Sequence, residues 1–246
     1  MENLAEAKQL ISEAKNIYLV PSDKPEAVAA TLALFYTLKN LGKNVNTIIE
    51  NIPENLKFLS PSLDFVSYPK NFVISVPNKV ANVSQIFYEK NDEALKIHLT
   101  IENGNIKKDN IAFYFAEVKP DLIITTGIKD YSAELSGKLN SFGFLLDSPV
   151  LNIDNGQENK KFGKINVIES LPLSEMVSNL LDDIDNNTAK CLLTGIVLYT
   201  DNFRKNITAE IFGAASQLMK QGADLKTITE NLYKEKTFDT QHIETA

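Results

Sequence analysis

Residues 148–168 read SPVLNIDNGQENKKFGKINVI, an apolar stretch from Val150 to Ile153 that runs directly into Asp154, Asn155 and Gly156. A second short apolar stretch, KINVI, follows a polar loop. Val and Ile in short runs mark buried strands, and polar groups where such a strand ends are a common place for an α/β protein to keep its chemistry. Downstream, LLTGIVLYTDNFR at 192–204 reads as the end of an apolar helix followed by a polar hook, placed to fold back over the same strand end.

Working outward, the alternation of strand and helix extends in both directions. Leu4, Leu10 and Ile11 lie at helical spacing within residues 2–15, and NIYLV at 16–20 follows as a strand. Pro25 suits the first position of the next helix, whose Val28, Leu32, Phe35 and Leu38 share one face before Gly42 ends it. NVNTIIE at 44–50 is the next strand, so strand, helix and strand imply a parallel pair with a right-handed crossover. IPENLKFL at 52–59 reads as a short helix on the rim. After a strand at DLIITT (121–126) and a helix at SAELSGKLNSFG (132–143), further helices are expected at about 171–184, 187–199, 208–221 and 224–234. The expected fold class is α/β, a doubly wound, mainly parallel sheet of about five strands in one domain spanning 1–246.

Residues 70–118 break that alternation. NFVISVP, SQIFYEKN, ALKIHLTI and IAFYFAEV alternate apolar and polar residues and are separated by the turn-forming NDEA and ENGN, which reads as an antiparallel β-meander inserted in the parallel framework. His98 lies within the third of these strands, without a second histidine nearby, and reads as a strand residue and not a ligand.

Composition narrows the function classes. A chain of 246 residues with 43% hydrophobic residues can bury a full core. A net charge of −7 and a pI near 5.0 argue against a general nucleic-acid binder, which needs a basic face to displace counterions. Cys191 lies in an apolar helical run, reads as core, and cannot form an internal disulfide alone, which suits a reducing, cytoplasmic setting. No stretch has the length of a transmembrane helix, and the N-terminus is an acidic amphipathic helix, so no membrane partner is expected.

The runs NIYLVPSDKPEAVAATLALFYTLKNLGKNV (16–45), DLIITTG (121–127), IDNG (153–156), FGKINVIE (162–169), PLSEMV (172–177), LLTGIVLYTDNFR (192–204) and AASQLMKQGADLKTITENLY (214–233) resemble, in order and spacing, the catalytic domain of the DHH phosphoesterase superfamily. That resemblance covers most of the chain outside 70–118. It implies a pair of manganese ions and cleavage of short oligonucleotides, cyclic dinucleotides, phosphorylated nucleotides or pyrophosphate. It also implies a linker and a second, smaller substrate-binding domain after Tyr233, where the sequence runs instead into KEKTFDTQHIETA. The corresponding expectation is a cleft open on one side.

Carried over position by position, the resemblance places the family's first-motif histidine at Val20 and its aspartates at Lys24 and Glu26. The aspartate ending the middle strand falls at Gly127. The Asp-His-His signature becomes Asp154, Asn155 and Gly156, and the aspartate of the later motif becomes Tyr199, beside a retained Thr200. Of the ligand positions, Glu26 alone offers a carboxylate; the family's aspartate at Asp154 mainly supports the neighbouring histidine. A pair of hard cations needs several carboxylates and imidazoles, and an ammonium at Lys24 repels a divalent ion. The expectation is therefore a degenerate cleft with no catalytic residue, no metal and no cofactor. Two rivals stand beside it. One is a divergent phosphoesterase that holds Mn2+ or Mg2+ through Glu26, Asp23, Asp154 and Asp201; the other is a nucleotide sensor that does not hydrolyse. Ser174 matches a serine that starts a helix in the family, and Arg204 lies in its loop before Thr208.

With the cleft disarmed, the insertion at 70–118 is the expected working surface, for a protein partner or for homo-oligomerisation. A β insertion offers a flat face and an edge strand, and Tyr88, Phe113, Tyr114 and Phe115 supply aromatic side chains.

Overall fold

The computed structural model describes residues 3–49, 52–61, 70–117, 119–134 and 148–234. Two compact units emerge, one from Met1–Tyr68 with Lys119–Ala246 and one from Pro69–Val118.

The first unit is built on a parallel sheet. Its strands are β1 (Asn16–Pro21), β2 (Asn44–Thr47), β7 (Leu122–Thr126), β8 (Val150–Asp154) and β9 (Ile165–Ile168), in the order β2-β1-β7-β8-β9. All four pairings are parallel. The chain leaves β1 toward β2 in one direction and fills β7, β8 and β9 in the other, so the winding reverses between β1 and β7. This is the doubly wound α/β class that the alternation implies, and ligands in such sheets collect outside the strands' carboxyl ends at the reversal.

Helices on one face build the larger core. Helix α2 (Pro25–Asn40) has Pro at its first turn and buries every residue from Ala27 to Leu38, because the sheet lies on one side and α3 (Leu173–Leu180) and α4 (Asn186–Tyr199) on the other. Helices α1 (Leu4–Glu13), α5 (Ala209–Lys220) and α6 (Leu225–Leu232) are amphipathic and present one buried stripe each. Ile17, Leu19, Leu122, Ile124, Leu151 and Ile153 face these helices. Tyr18, Val20, Ile123 and Ile128 form a smaller apolar cluster on the sheet's other face. Cys191 is buried in α4, and burial pushes its thiol pKa up, away from reactivity. Helix starts follow the expected chemistry: Asp185, Thr208 and Asp224 each accept from a backbone N–H of the first turn. None of the described helices is long and apolar enough to cross a membrane.

In the second unit, all four expected strands form: β3 (Lys70–Ser75), β4 (Ala81–Lys90), β5 (Leu95–Gly104) and β6 (Ala112–Glu117). Their pairing corrects the meander. First joins last, β3 with β6, and second joins third, β4 with β5, each antiparallel and each a separate two-stranded sheet among the described residues. Alternation along a strand fixes which residues share a face, and it carries no signal for which strand is the neighbour. The side chains of Tyr114 and Phe115 lie outside the described residues, as does most of the helix expected at 132–143.

Candidate functional site at the carboxyl ends of the strands

Where β1, β7 and β8 end, the chain must turn, and these turns hold most of the residues aligned with the family's motifs. Val20 is fully buried in β1 among Tyr18, Ile123 and Ile128. Its register partner is Thr125, whose partner is Asn152, so Val20 shares a face with Asn152 and, two residues on, with Asp154. Lys24 caps α2 in an extended conformation and is exposed. Glu26 sits in the first turn of that helix, half-buried.

Glu26 is already engaged. Its Oε1 accepts from the Leu173 backbone N–H at 2.8 Å, at the start of α3, and from Asn155 Nδ2 at 3.3 Å. Burial pushes its pKa up; the Leu173 and Asn155 hydrogen bonds and the Lys24 charge pull it back, while Asp154 raises it further. Asp154 ends β8 and is fully buried. Its Oδ2 accepts from Asn159 Nδ2 at 2.9 Å, and its Oδ1 has no hydrogen-bond partner. Tyr199, the last residue of α4, is half-buried, and its hydroxyl pKa is raised by burial and then by the charges of Glu26 and Glu175. Lys24, Glu26, Asp154, Asn155 and Tyr199 thus come together around the end of β8.

Gly127 closes the site from the side of β7. It has φ +69°, and a Cβ there would lie 2.8 Å from Ser22 Oγ, 3.1 Å from Ala27 Cβ and 3.2 Å from Leu173 Cδ1. The left-handed backbone strains a non-glycine residue here, and its neighbours would have to shift to admit a side chain. At Gly156 a notional Cβ would meet Lys129 Cε, the movable end of a lysine, at 2.8 Å and Asp154 Oδ2 at 3.0 Å. At the aligned positions, then, Val20 is core, Gly127 offers no side chain, and the Glu26 carboxylate is held by protein donors. Among the described residues no group of three or more His, Cys, Asp or Glu side chains is placed to hold a metal.

The hook after α4 forms, and Asp201 pairs within it. Asp201, Asn202 and Phe203 run through consecutive left-handed conformations with φ of 48°, 57° and 57°. Three non-glycine residues in that region carry strain, which the hook offsets by hydrogen bonds from the Asn202, Arg204 and Lys205 N–H groups to Val197 and Thr200 carbonyls. Asp201 pairs with Arg204 at 2.8 Å and Lys205 at 3.3 Å, which lower its pKa. Asp23 is exposed. Ser174 is buried in α3, with its Oγ against Gly195 of α4 and no hydrogen-bond partner. His98 is a strand residue, stacked on Phe87 with ring centroids 4.5 Å apart.

Sequence reasoning missed the residues that hold the strand end together. Asn159 donates both to Asp154 Oδ2 and to the Ile128 carbonyl at 2.8 Å, and its Oδ1 accepts from Asn152 Nδ2 at 2.9 Å and from the Lys161 N–H at 2.7 Å. Thr125 Oγ1 in turn donates to Asn152 Oδ1 at 3.0 Å. The signal available was Asn152 itself: a buried amide inside an apolar strand must find partners. A cavity of about 440 Å³ opens beside this loop, lined by Asn155, Gly156, Lys161, Asn166 and Glu169 among others.

The fold is shared with a solved structure, and the likeness is one of fold. An exopolyphosphatase-related protein from Bacteroides fragilis superposes with a TM-score of 0.67 at 17% identity, over 95% of this chain and 60% of that one. RecJ from Thermus thermophilus, solved with Mn2+, matches at a TM-score of 0.42 and 14% identity, over 95% of this chain and 31% of that one. An exonuclease RecJ bound to manganese matches at 0.41 and 13%, over 95% and 55%. The fold assignment rests on the first of these, and the chain spans 60% of its length. No protein-family model matches the chain. No curated protein matches it.

Proposed function

We propose that this chain is a DHH-like domain that has lost metal-dependent phosphoester hydrolysis and acts as a binding or assembly module. The observation that carries the reading is Glu26, the one carboxylate aligned with a ligand position, which is taken up by the Leu173 N–H and the Asn155 amide beside a crowded Gly127 that offers no side chain. A metal would have to displace protein donors from Glu26 and face the ammonium of Lys24, and none of the aligned positions carries an imidazole.

One observation favours a divergent metal-dependent enzyme instead: Asp154 Oδ1 is buried without a partner, and an orphaned carboxylate oxygen gains from a cation. Elemental analysis of the purified chain after manganese loading, with assays on short oligonucleotides, cyclic dinucleotides and phosphorylated nucleotides, separates the two readings. The module reading expects sub-stoichiometric manganese and no turnover. Stoichiometric metal with turnover abolished by Glu26→Ala would establish the enzyme.

A further inference from the structure

A cavity of about 470 Å³ opens where the starts of α3 and α5 meet the end of α4. Leu171, Pro172 and Ile211 give it apolar walls, Ile207 stands exposed at its rim, and Tyr199 supplies an aromatic ring. Two carboxylates line it as well, Glu175 from the first turn of α3 and Glu210 from the first turn of α5. A pocket of this size suits a small group, and a few charged side chains set among apolar walls decide which one.

The two carboxylates differ in their support. Glu210 accepts from its own backbone N–H and from the Thr208 hydroxyl, which hold its pKa low and keep it charged. Glu175 has no such donors. Its Oε2 is buried without a hydrogen-bond partner, and burial, then the charge of Glu210, push its pKa up. Neither carboxylate forms an ion pair among the described residues. Arg204 and Lys205, the cations nearest to Glu210 along the chain, are both taken up by Asp201. The cavity therefore holds negative charge without a counter-cation, and one buried oxygen lacks the donor that such atoms normally find.

An ammonium on an aliphatic chain answers both features. It brings three donors and a positive charge to the carboxylates, and its methylene groups lie against apolar walls as the stems of lysines do on protein surfaces. The Tyr199 ring adds its own attraction for a cation. An anion is repelled here, and a bare divalent ion finds too few ligands, since among the described residues no third acidic, histidine or cysteine side chain joins these two in a metal-holding group. We propose that this cavity binds a primary alkylammonium group, held by Glu175 and Glu210 with its carbon chain against Leu171, Pro172 and Ile211. The proposal rests on the reading of the chain as a binding module and gives that reading a ligand chemistry. A free aliphatic amine and the side chain of a peptide lysine both carry this group.

Heteronuclear NMR titration of the full chain tests it, with butylammonium chloride in one arm and a short peptide carrying a single lysine among neutral residues in the other. Sodium chloride at matched ionic strength is the blank, and butanol is the neutral analogue. Saturable shifts of the Glu175, Tyr199 and Glu210 amides are expected with at least one of the two probes, the tighter probe naming the source, and none with butanol. Glu175→Gln is expected to raise the dissociation constant about tenfold, as loss of a hydrogen bond to a charged group does. Glu210→Gln, at an exposed carboxylate, should raise it about threefold. Glu175→Gln removes a repulsion, so its melting temperature should not fall below that of the wild type. Absence of saturable shifts at these amides with both probes overturns the proposal. So do shifts that sodium chloride or butanol reproduces, or a dissociation constant that Glu175→Gln leaves unchanged. Manganese content of the same samples reads the metal question separately.

Discussion

Placing an aspartate at position 127, where the DHH resemblance puts one, is expected to destabilise the domain and not to create a metal site. The residue sits at φ +69°, in the left-handed region, where a non-glycine side chain loses about 1–2 kcal/mol. Its Cβ would press on Ser22 Oγ, Ala27 Cβ and Leu173 Cδ1 at 2.8, 3.1 and 3.2 Å, and overpacking of that kind adds about 1–3 kcal/mol. Ala27 and Leu173 are core residues of α2 and α3, so neither can swing out of the way. Taken together, Gly127→Asp should destabilise the domain by about 2–5 kcal/mol, or about 4–20 °C in Tm for a domain of this size. Gly127→Ala carries the backbone and packing losses without the charge and should lie at the lower end. Thermal and urea denaturation followed by circular dichroism read these values. An aspartate variant that keeps wild-type stability, or that gains stoichiometric manganese, would refute the reasoning, because it would show that the strand end has room for a ligand.

Asn159→Ala strips Asp154 Oδ2 and the Ile128 carbonyl of their partner and leaves Asn152 Nδ2 only the 3.5 Å bond to Asn166 Oδ1, which should cost about 2–4 kcal/mol and speed hydrogen exchange of the Glu169 N–H, bonded to the Asp154 carbonyl at 3.3 Å. Gly195→Ala drives a methyl group into Ser174 Oγ and should destabilise the α3–α4 contact, with much of the loss recovered in the Ser174→Gly/Gly195→Ala double variant, measured by a denaturant double-mutant cycle. The raised pKa of Glu26 means that the folded state binds its proton more tightly than the unfolded state. Its contribution is fully present below the ordinary value of 4.5 and is lost as pH rises through the folded value. The stability difference between wild type and Glu26→Gln, in which the glutamine oxygen still accepts from the Leu173 N–H, should therefore move against the wild type from acid to neutral pH.

Periodicity made the framework legible: NIYLV, DLIITT, VLNID and KINVI are the strands of the parallel sheet, and the helices after 171 begin and end within a few residues of their expected bounds. These signals are local, since burial on both faces selects Val, Ile and Leu whatever the neighbour. The order of residues likewise carries the DHH resemblance, which aligns Val20, Asn155 and Gly156 with imidazole positions. Tertiary structure decided the rest. Glu26 looks like a surviving ligand in the sequence, and only the approach of the Leu173 N–H and Asn155, 147 and 129 residues away, shows its carboxylate in use as a structural acceptor. Asn159 is one more polar residue in a loop until the fold brings it over Asp154. The pairing of β3 with β6 in place of its sequence neighbour has the same cause: alternation is a property of one strand, whereas partner, register and open edge belong to pairs of strands that meet only once the chain has folded.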